Sequence, residues 1–541
     1  MSSYLETLPS DILQHIAFLT SSDFALGPPN DLLALMLTSS RLYQCLNVHA
    51  SPHLYANLFR TRFDFSSICC PWRIGLADSV GACHFIQRFR ALRRAKTRDM
   101  SSVQLCEDLR ATLWMAIEND DVNEKYLSSV DFPGYAIELA RHYLNGCENA
   151  RLLQDEHEIN SLVVCLLCYV FTREKLMATP REIREELLNL LRPLTCSSSM
   201  FRKLLYRCNH YSKRQDGYNS RDAKTSSCPL IEQPVNHVAR DTILDPALET
   251  QILCPSSAII LTFAIKEIVP LVIPPHLPET RAAALAANRS GPTLVDFQAT
   301  IRCNTPLFAD TCAEAEWGGK TPFFSIGNHS ARLHDPELHR LVRADSKFSI
   351  FQTLPYIPGS LSGVWEGSYL ISSLRKPSVN AVADFSCRKP MQCAMSEFLC
   401  YSPHQPLPFG VFDISPRSIH VTENGLNTCS RNYCYEKFVS GADSSYTREN
   451  HREALDILLL GETLEDHEQA WGGYRFVGRV RRDGRIFFKR EPKNPEDDVF
   501  GSWYFVGHVR YGSAFVGQWR SSSFPDRVQG IFSMHKTRDT W

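Results

Sequence analysis

The sequence has almost no net charge. Its 541 residues include 58 Lys and Arg against 59 Asp and Glu, which gives a formal charge of −1 at pH 7. A protein that attracts nucleic acid or an anionic membrane through its overall field needs a clear excess of positive charge. We therefore expect neither nucleic acid nor a membrane among its partners.

The sequence also lacks a long unbroken apolar run. Residues 162–171 are apolar, but they make up only about half of the roughly 20 residues that a membrane span needs. Residues 252–273 are long enough, yet Pro255, Pro270 and two charged residues interrupt them. We expect this second stretch to form buried strands.

The cysteines do not indicate a disulfide scaffold, because the 19 of them are an odd number spread over the whole sequence. Residues 1–11 are polar and acidic, which predicts no cleavable signal segment. We expect mostly reduced, buried cysteines in a cytoplasmic and/or nuclear protein. Cys165 and Cys168 lie within an apolar helical run without a second pair nearby, so we interpret them as core residues and not zinc ligands.

Recognisable catalytic motifs are absent as well. There is neither a phosphate-binding loop nor a dinucleotide fingerprint. Residues 359–363 have the outline of a nucleophile elbow, but Leu361 stands where the serine would be. The remaining cysteine and histidine pairs do not form a set at metal-ligand spacing. We therefore expect a non-catalytic protein with no metal and no cofactor.

Composition divides the sequence into helical and β-rich parts. Residues 4–50 predict a first helical unit, and residues 51–205 predict a helical domain. Residues 206–235 are a polar loop or linker, and 236–355 are a mixed, irregular connecting region. From residue 356 to 541, aromatic, glycine and β-branched residues become frequent. The predicted class is a multidomain α + β fold.

Residues 88–98 contain six basic side chains in eleven positions. Such a run can be an anionic partner site or a solvated helix face. Sparse aromatic residues and the neutral remainder of the chain favour the solvated face.

An internal repeat characterises the C-terminal part. Residues 474–481 match residues 503–510, and residues 515–520 are a shorter echo. Each copy alternates large apolar with polar residues, which is typical of a strand with one buried face. The glycine inside each copy predicts a bulge or a tight bend.

Two turn signals connect these strands. Asp483-Gly484 is a strong hairpin signal, and Tyr511-Gly512-Ser513 is a weaker one. We expect about eight to ten antiparallel strands between Gly363 and Lys536, closed into a barrel that hides their edges.

The interior of an eight-stranded barrel can either enclose one small molecule or be filled by the protein's own side chains. The phenylalanines are abundant enough to fill it. They are Phe476, Phe487, Phe505, Phe515 and Phe532.

Two short amphipathic helices are predicted near the N-terminus, separated by the breaker cluster 27–30. Their apolar residues recur at helical spacing: Ile12, Leu13, Ile16 and Leu19, then Leu32, Leu33, Met36 and Leu37. Fewer than about fifty residues seldom bury enough surface to be stable alone. The pair therefore packs on the following domain or keeps apolar surface for a partner.

Residues 4–50 resemble an F-box, the module that attaches substrate receptors to the Skp-type adaptor of Skp–cullin–F-box ubiquitin ligases. The resemblance is carried by Leu8-Pro9, Asp11, Ile12-Leu13, Ile16, Leu19, Asp31-Leu32-Leu33, Leu37 and Ser40-Arg41. The link 21–30 is longer than usual, and the usual Cys or aromatic residue near Ser40-Arg41 is altered. The resemblance implies that the adaptor is contacted by Leu8, Pro9, Ile12, Leu13, Ile16, Leu32 and Leu33.

The strand that opens with Gly363-Val364-Trp365 resembles the first strand of lipocalin-like barrels. Residues 361–536 resemble the C-terminal barrel of F-box-only proteins, especially large fungal ones. This resemblance implies a substrate-reading barrel with Trp365, Tyr369 and Arg520 as candidate contacts. Arg520 is the candidate stacking partner of Trp365, but we favour the alternative that both residues only seal the barrel floor.

Together these resemblances predict a substrate-recognition subunit. The F-box would dock the Skp-type adaptor, and through it a cullin, while the barrel presents an unidentified protein substrate. The alternative is a lipocalin-like carrier of a small apolar ligand whose N-terminal helices are only structural.

Overall fold

The computed structural model describes residues 4–21, 26–64, 77–117, 121–145, 154–195, 246–269, 273–301, 305–308, 356, 358–372, 385–401, 404, 406–407, 419–422, 425–428, 431–439, 454–480, 484–494, 502–521 and 528–538. The predicted linker 206–235 lies outside these residues.

The described residues form fifteen α-helices, fourteen of which precede the strands. They are α1 (Ser10–Ser21), α2 (Asn30–Thr38), α3 (Ser40–Leu46), α4 (Pro52–Arg62), α5 (Asp78–Thr97), α6 (Leu105–Ile117), α7 (Val122–Ser129), α8 (Phe132–Tyr143), α9 (Gln154–Val170), α10 (Arg173–Ala178), α11 (Arg181–Thr195), α12 (Pro246–Glu267), α13 (Arg281–Ala286), α14 (Leu294–Ile301) and α15 (Glu465–Trp471).

One continuous hydrophobic core joins α1 to α12. Helix α9 lies at its centre, because residues 162–171 are all buried. A helix that is apolar on every side is stable only when it is enclosed. Cys165 and Cys168 are fully buried in this helix, as predicted for core residues.

The expectation of strands in residues 252–273 is wrong, because residues 252–267 belong to the single helix α12, with Pro255 inside it. An interior proline costs about 3 kcal/mol through a lost hydrogen bond and a steric clash. Burial of residues 258–265 against α9 outweighs that cost. Among the described helices, none is both long enough and apolar enough to cross a membrane.

The C-terminal part is an antiparallel sheet that closes on itself. Its strands are β1 (Gly363–Ser372), β2 (Phe385–Tyr401), β3 (Ile419–Thr422), β4 (Gly425–Thr428), β5 (Arg431–Lys437), β6 (Ala454–Glu462), β7 (Tyr474–Val480), β8 (Ile486–Pro492), β9 (Trp503–Arg510), β10 (Ala514–Ser521) and β11 (Gln529–Arg538).

Eight of these strands form the barrel. Strands β6 to β11 run as a meander, and β1 closes the circle because it pairs with both β2 and β11. The predicted α + β class and the closed antiparallel barrel are confirmed. The described strands outnumber the eight to ten expected, since β3, β4 and β5 extend the sheet from β2 outside the barrel.

The strands that the two predicted hairpins connect are paired as expected, and Asp483 of the first turn lies outside the described residues. Tyr511 and Gly512 have φ values of 56° and 67°, so the β9–β10 turn has two successive left-handed residues. This conformation gives the type I′ turn, whose twist matches that of paired strands. Gly484, with φ of 77°, lies in the connection between the paired strands β7 and β8.

The glycines of the repeat do not form the predicted bulges. In each copy the sequence Phe-Val-Gly places the phenylalanine and the glycine inside the barrel and the valine outside. Gly507 faces Gly517 across an unbroken β9–β10 ladder. A side chain on Gly517 would collide with the Val506 carbonyl and the Phe532 ring. The glycines therefore make room for neighbouring rings.

The outer face of the barrel packs against the helices. Leu370, Val516 and Ile531 point away from the barrel interior and belong to the helical core. Arg510 donates hydrogen bonds to the hydroxyls of Ser256 (2.6 Å) and Tyr169 (3.1 Å). Helix α12, from the region predicted as irregular, thus connects the helical core to the barrel.

The basic run 88–98 serves the helical core. Arg94 is buried and bonds Asp108 at 2.7 Å. Arg90 bonds the same carboxylate at 2.5 Å, and the buried Arg88 guanidinium lies 4.8 Å from the Phe59 ring. The predicted solvated face is therefore wrong for these three side chains, because they face buried partners on α4 and α6.

Candidate functional site

Helices α1, α2 and α3, together with Leu26 before α2, carry a cluster of exposed apolar side chains, called here the N-terminal apolar face. Of the fifteen large hydrophobic residues exposed in the described structure, six lie between residues 12 and 43. Such concentration in one short segment indicates a contact surface more than scattered exposure does. The six residues are Ile12, Leu19, Leu26, Leu33, Leu37 and Tyr43.

The helices that carry this face are held firmly from behind. Leu13 and Leu32 are about 1% exposed and lie in the helical core. Gln14 donates a hydrogen bond to the Ser51 hydroxyl at 2.6 Å, which joins α1 to the start of α4. The Tyr55 hydroxyl donates to the Leu46 carbonyl at 2.9 Å. A supported helix pair can thus present the apolar face without a partner.

The seven predicted adaptor contacts fall into three groups. Pro9, Ile12 and Leu33 are exposed, and Leu8 and Ile16 are half-buried. Leu13 and Leu32 are buried, so only the other five residues can contact a partner directly. Part of the unusual link 21–30 lies outside the described residues.

The barrel interior is filled by aromatic rings. Phe488 and Phe505 stack at 4.6 Å between centroids, and Phe532 packs edge-on against Phe505 at 5.3 Å. Phe476, Phe505, Phe515 and Phe532 point inward as predicted, but Phe487 does not, and its neighbour Phe488 takes that place. The two best-formed cavities in the described residues each measure about 20 Å³.

The predicted stacking of Arg520 on Trp365 is wrong. Trp519 points into the barrel, so the next residue, Arg520, points outward, where it donates a hydrogen bond to Gln529 at 3.1 Å. Register also separates the two, because Trp365 pairs with Lys536 and Arg520 pairs with Gln529, seven residues away along β11. The cation nearest the Trp365 ring is the Lys536 ammonium, at 6.0 Å.

Trp365 instead belongs to the closed end of the barrel. It is fully buried, and its indole N–H donates to the Leu361 carbonyl at 2.8 Å. The buried Glu397 carboxylate accepts hydrogen bonds from the backbone N–H groups of Gly359 (2.7 Å), Leu361 (2.7 Å) and Ser362 (3.1 Å). Burial raises the pKa of Glu397, and these hydrogen bonds act in the opposite direction. This carboxylate holds the segment that seals the barrel.

The opposite end contains a buried cation stacked between aromatic rings, called here the aromatic column. The Arg490 guanidinium carbon lies 3.8 Å from the Trp503 ring centroid and 4.0 Å from that of Tyr474. Trp503 and Trp519 stack at 4.2 Å. Tyr369, the second predicted barrel contact, packs edge-on against both tryptophans and accepts a side-chain hydrogen bond from Arg490.

Helix α15 covers this end and leaves a small space beneath it, called here the barrel-end cavity. Its wall includes Tyr369, Gln392, His467, Tyr474 and Arg490. Burial lowers the pKa of His467 to about 4, and the nearby Arg490 charge acts in the same direction while Asp296 opposes it. His467 is therefore neutral at pH 7. Within the described residues, no cluster of His, Cys, Asp and Glu could hold a metal ion.

Sequence reasoning did not select Arg490, Trp503 or Tyr474. A usable signal was present, because strand alternation places Arg490 on the same face as Phe488 and Ile486. A cation at an inward-facing position of a barrel strand is unusual enough to mark a site.

Comparison with protein-family models, with curated proteins and with solved structures found no match for this chain.

Proposed function

We propose that the protein is a non-catalytic substrate receptor that docks a Skp-type adaptor, and through it a cullin, by means of the N-terminal apolar face. The observation that supports this most is the concentration of exposed apolar residues on α1 to α3, in the segment that resembles an F-box. A helix pair that served only its own core would turn such residues inward.

The contact is proposed to centre on the exposed residues Ile12 and Leu33, with Pro9, Leu8 and Ile16 beside them. Their partner is a complementary apolar groove on the adaptor. The barrel is the proposed substrate-presenting part, and the ligase chemistry belongs to other subunits. Proximity would then be the mechanism, because a tethered substrate has a raised effective concentration near the ubiquitin carrier.

The alternative of a carrier for a small apolar ligand has less support. A pocket for such a molecule usually encloses about 300 Å³ or more. The aromatic rings of the described barrel interior occupy that space, and cavities of about 20 Å³ accept a water-sized group.

A pull-down with purified Skp-type adaptor tests the proposal. The variant Ile12→Asp with Leu33→Asp is expected to retain at least roughly tenfold less adaptor, since a charge at the centre of an apolar interface is strongly unfavourable. The matched control is Val103→Asp with Leu285→Asp, two residues that are 71% and 73% exposed outside this face.

Circular dichroism and tryptophan fluorescence establish that both variants are folded. Retention of the adaptor by the Ile12/Leu33 variant at the level of the control would overturn the proposal, as would failure of the unmodified protein to bind. Leu13 and Leu32 are unsuitable for this test, because their substitution disturbs the core.

A further inference from the structure

Two nitrogen-bearing side chains line the barrel-end cavity, and neither has an ion-pair partner among the described residues. Arg490 is 6% exposed, and no described carboxylate lies within ion-pair distance of it. A guanidinium keeps its charge at every physiological pH. A buried charge without a counter-charge is costly, so a cation at this position favours an anionic ligand beside it.

The second group is the imidazole of His467 on α15. It lines the same cavity, and no described residue hydrogen-bonds to its ring. A neutral imidazole carries one N–H donor. Two donors on different elements, one from strand β8 and one from the covering helix, thus converge on one small space.

Two further polar side chains of the cavity wall, Gln392 and Thr463, are already hydrogen-bonded. Gln392 donates to Glu366 at 2.9 Å and accepts from the Leu464 backbone N–H at 3.2 Å. The Thr463 hydroxyl donates to the Tyr474 carbonyl at 3.0 Å. The cavity wall therefore has N–H donors from Arg490 and His467 and contains no carboxylate, which is the chemistry of an anion site.

We propose that the barrel-end cavity binds a carboxylate group, held by the Arg490 guanidinium and the His467 imidazole. The planar fork of a guanidinium matches a carboxylate. Trp503 and Tyr474 stack on the Arg490 guanidinium, so the ligand approaches its edge, beside the hydrogen bond to Tyr369. A volume of about 20 Å³ holds a group of about water size, so a carboxylate enters only by its oxygen end. The remainder of a larger acid lies outward, past the half-buried rim residues Trp471 and Tyr474.

Thermal unfolding of the full chain, followed by tryptophan fluorescence, tests this site with sodium acetate as the probe. Acetamide is the neutral control of the same shape, and sodium chloride at matched ionic strength is the control for a general anion effect. Acetate is expected to raise the unfolding temperature along a saturable curve with a roughly millimolar midpoint, which suits a ligand of four heavy atoms. Neither control is expected to do so.

Substitutions in the cavity wall test whether acetate raises the unfolding temperature by binding there. Arg490→Gln is expected to abolish the acetate response, and His467→Phe is expected to weaken it several-fold. Arg475→Gln, which removes an exposed guanidinium from the adjacent strand β7, is expected to leave the response unchanged.

The absence of a saturable acetate response in the unmodified protein would overturn the proposal, as would an equal response to chloride. Should Arg490→Gln fail to fold, the His467→Phe variant still decides, because an unchanged acetate midpoint in that variant contradicts the site. None of these measurements involves the adaptor, so this proposal and the docking proposal fail separately.

Discussion

The Trp503 ring has the Arg490 guanidinium at 3.8 Å and the Trp519 ring at 4.2 Å. Strand β9 lies between β8 and β10, so the two partners cover opposite faces of the indole. Among the described residues, the cation at this barrel end is therefore stabilised by aromatic stacking and not by an ion pair. A guanidinium suits this position because it is planar and more weakly hydrated than an ammonium.

Substitutions of Arg490 test how much the planar shape of its guanidinium contributes to stability. Arg490→Lys is expected to lower the free energy of unfolding by about 2 kcal/mol, because an ammonium keeps the burial cost but stacks poorly. Arg490→Met removes the charge at similar length and is expected to change stability by less than about 1 kcal/mol. Urea unfolding followed by tryptophan fluorescence measures both. A lysine variant at least as stable as the methionine variant would contradict this account.

Glu397 offers a test at the sealed end. In Glu397→Gln, an amide NH₂ group replaces one of the two carboxylate oxygens, both of which accept hydrogen bonds. This NH₂ group then faces another donor, the backbone N–H of Gly359 or of Leu361. Loss of such buried bonds is expected to reduce stability by about 2–4 kcal/mol. The control is Glu436→Gln at an exposed position on β5. Equal unfolding midpoints for the two variants would show that the carboxylate does not hold the seal.

His467 predicts a specific pH dependence. Its pKa in the folded protein is about 4, below the ordinary value of 6.5. Between these values the unfolded chain binds a proton that the folded chain does not. Stability contributed by the neutral imidazole is therefore complete above pH 6.5 and decreases as the pH falls toward 4, by up to about 3 kcal/mol.

The variant His467→Phe isolates this contribution. Its unfolding free energy is expected to fall less steeply between pH 6.5 and 4 than that of the unmodified protein. His15→Gln, at an exposed position on α1, is expected to keep the full slope. Parallel pH profiles for the His467 variant and the unmodified protein would exclude a buried neutral imidazole.

Strand periodicity predicted the barrel, its two hairpins and most of its inward phenylalanines. The choice of Phe487 over Phe488 was the error with the largest consequence, because a one-residue shift reverses every side chain of a strand. With Phe488 inside, Arg490 is inside as well, and the barrel-end cavity follows. Local sequence cannot choose between two adjacent phenylalanines, since cross-strand pairing decides which one faces the interior.

Two further differences between prediction and structure also result from long-range packing. Pro255 predicts a break, but burial of α12 against α9 and the barrel keeps the helix continuous. The sequence also could not separate Leu32 from Leu33, of which one is enclosed and the other is 51% exposed. The choice depends on the placement of α2 against the other helices, which helical spacing alone does not specify.

The closure of the barrel by β11 constrains how the chain is made. These ten residues fill the place between β1 and β10, and Ile531 on their outer face also completes the helical core. During synthesis, β1 cannot pair with β11 until more than 160 further residues have been added to the chain. An open strand edge and an uncovered apolar surface on α12 persist throughout that interval. Nascent chains of this protein are thus expected to need chaperone protection until the last strand has been translated.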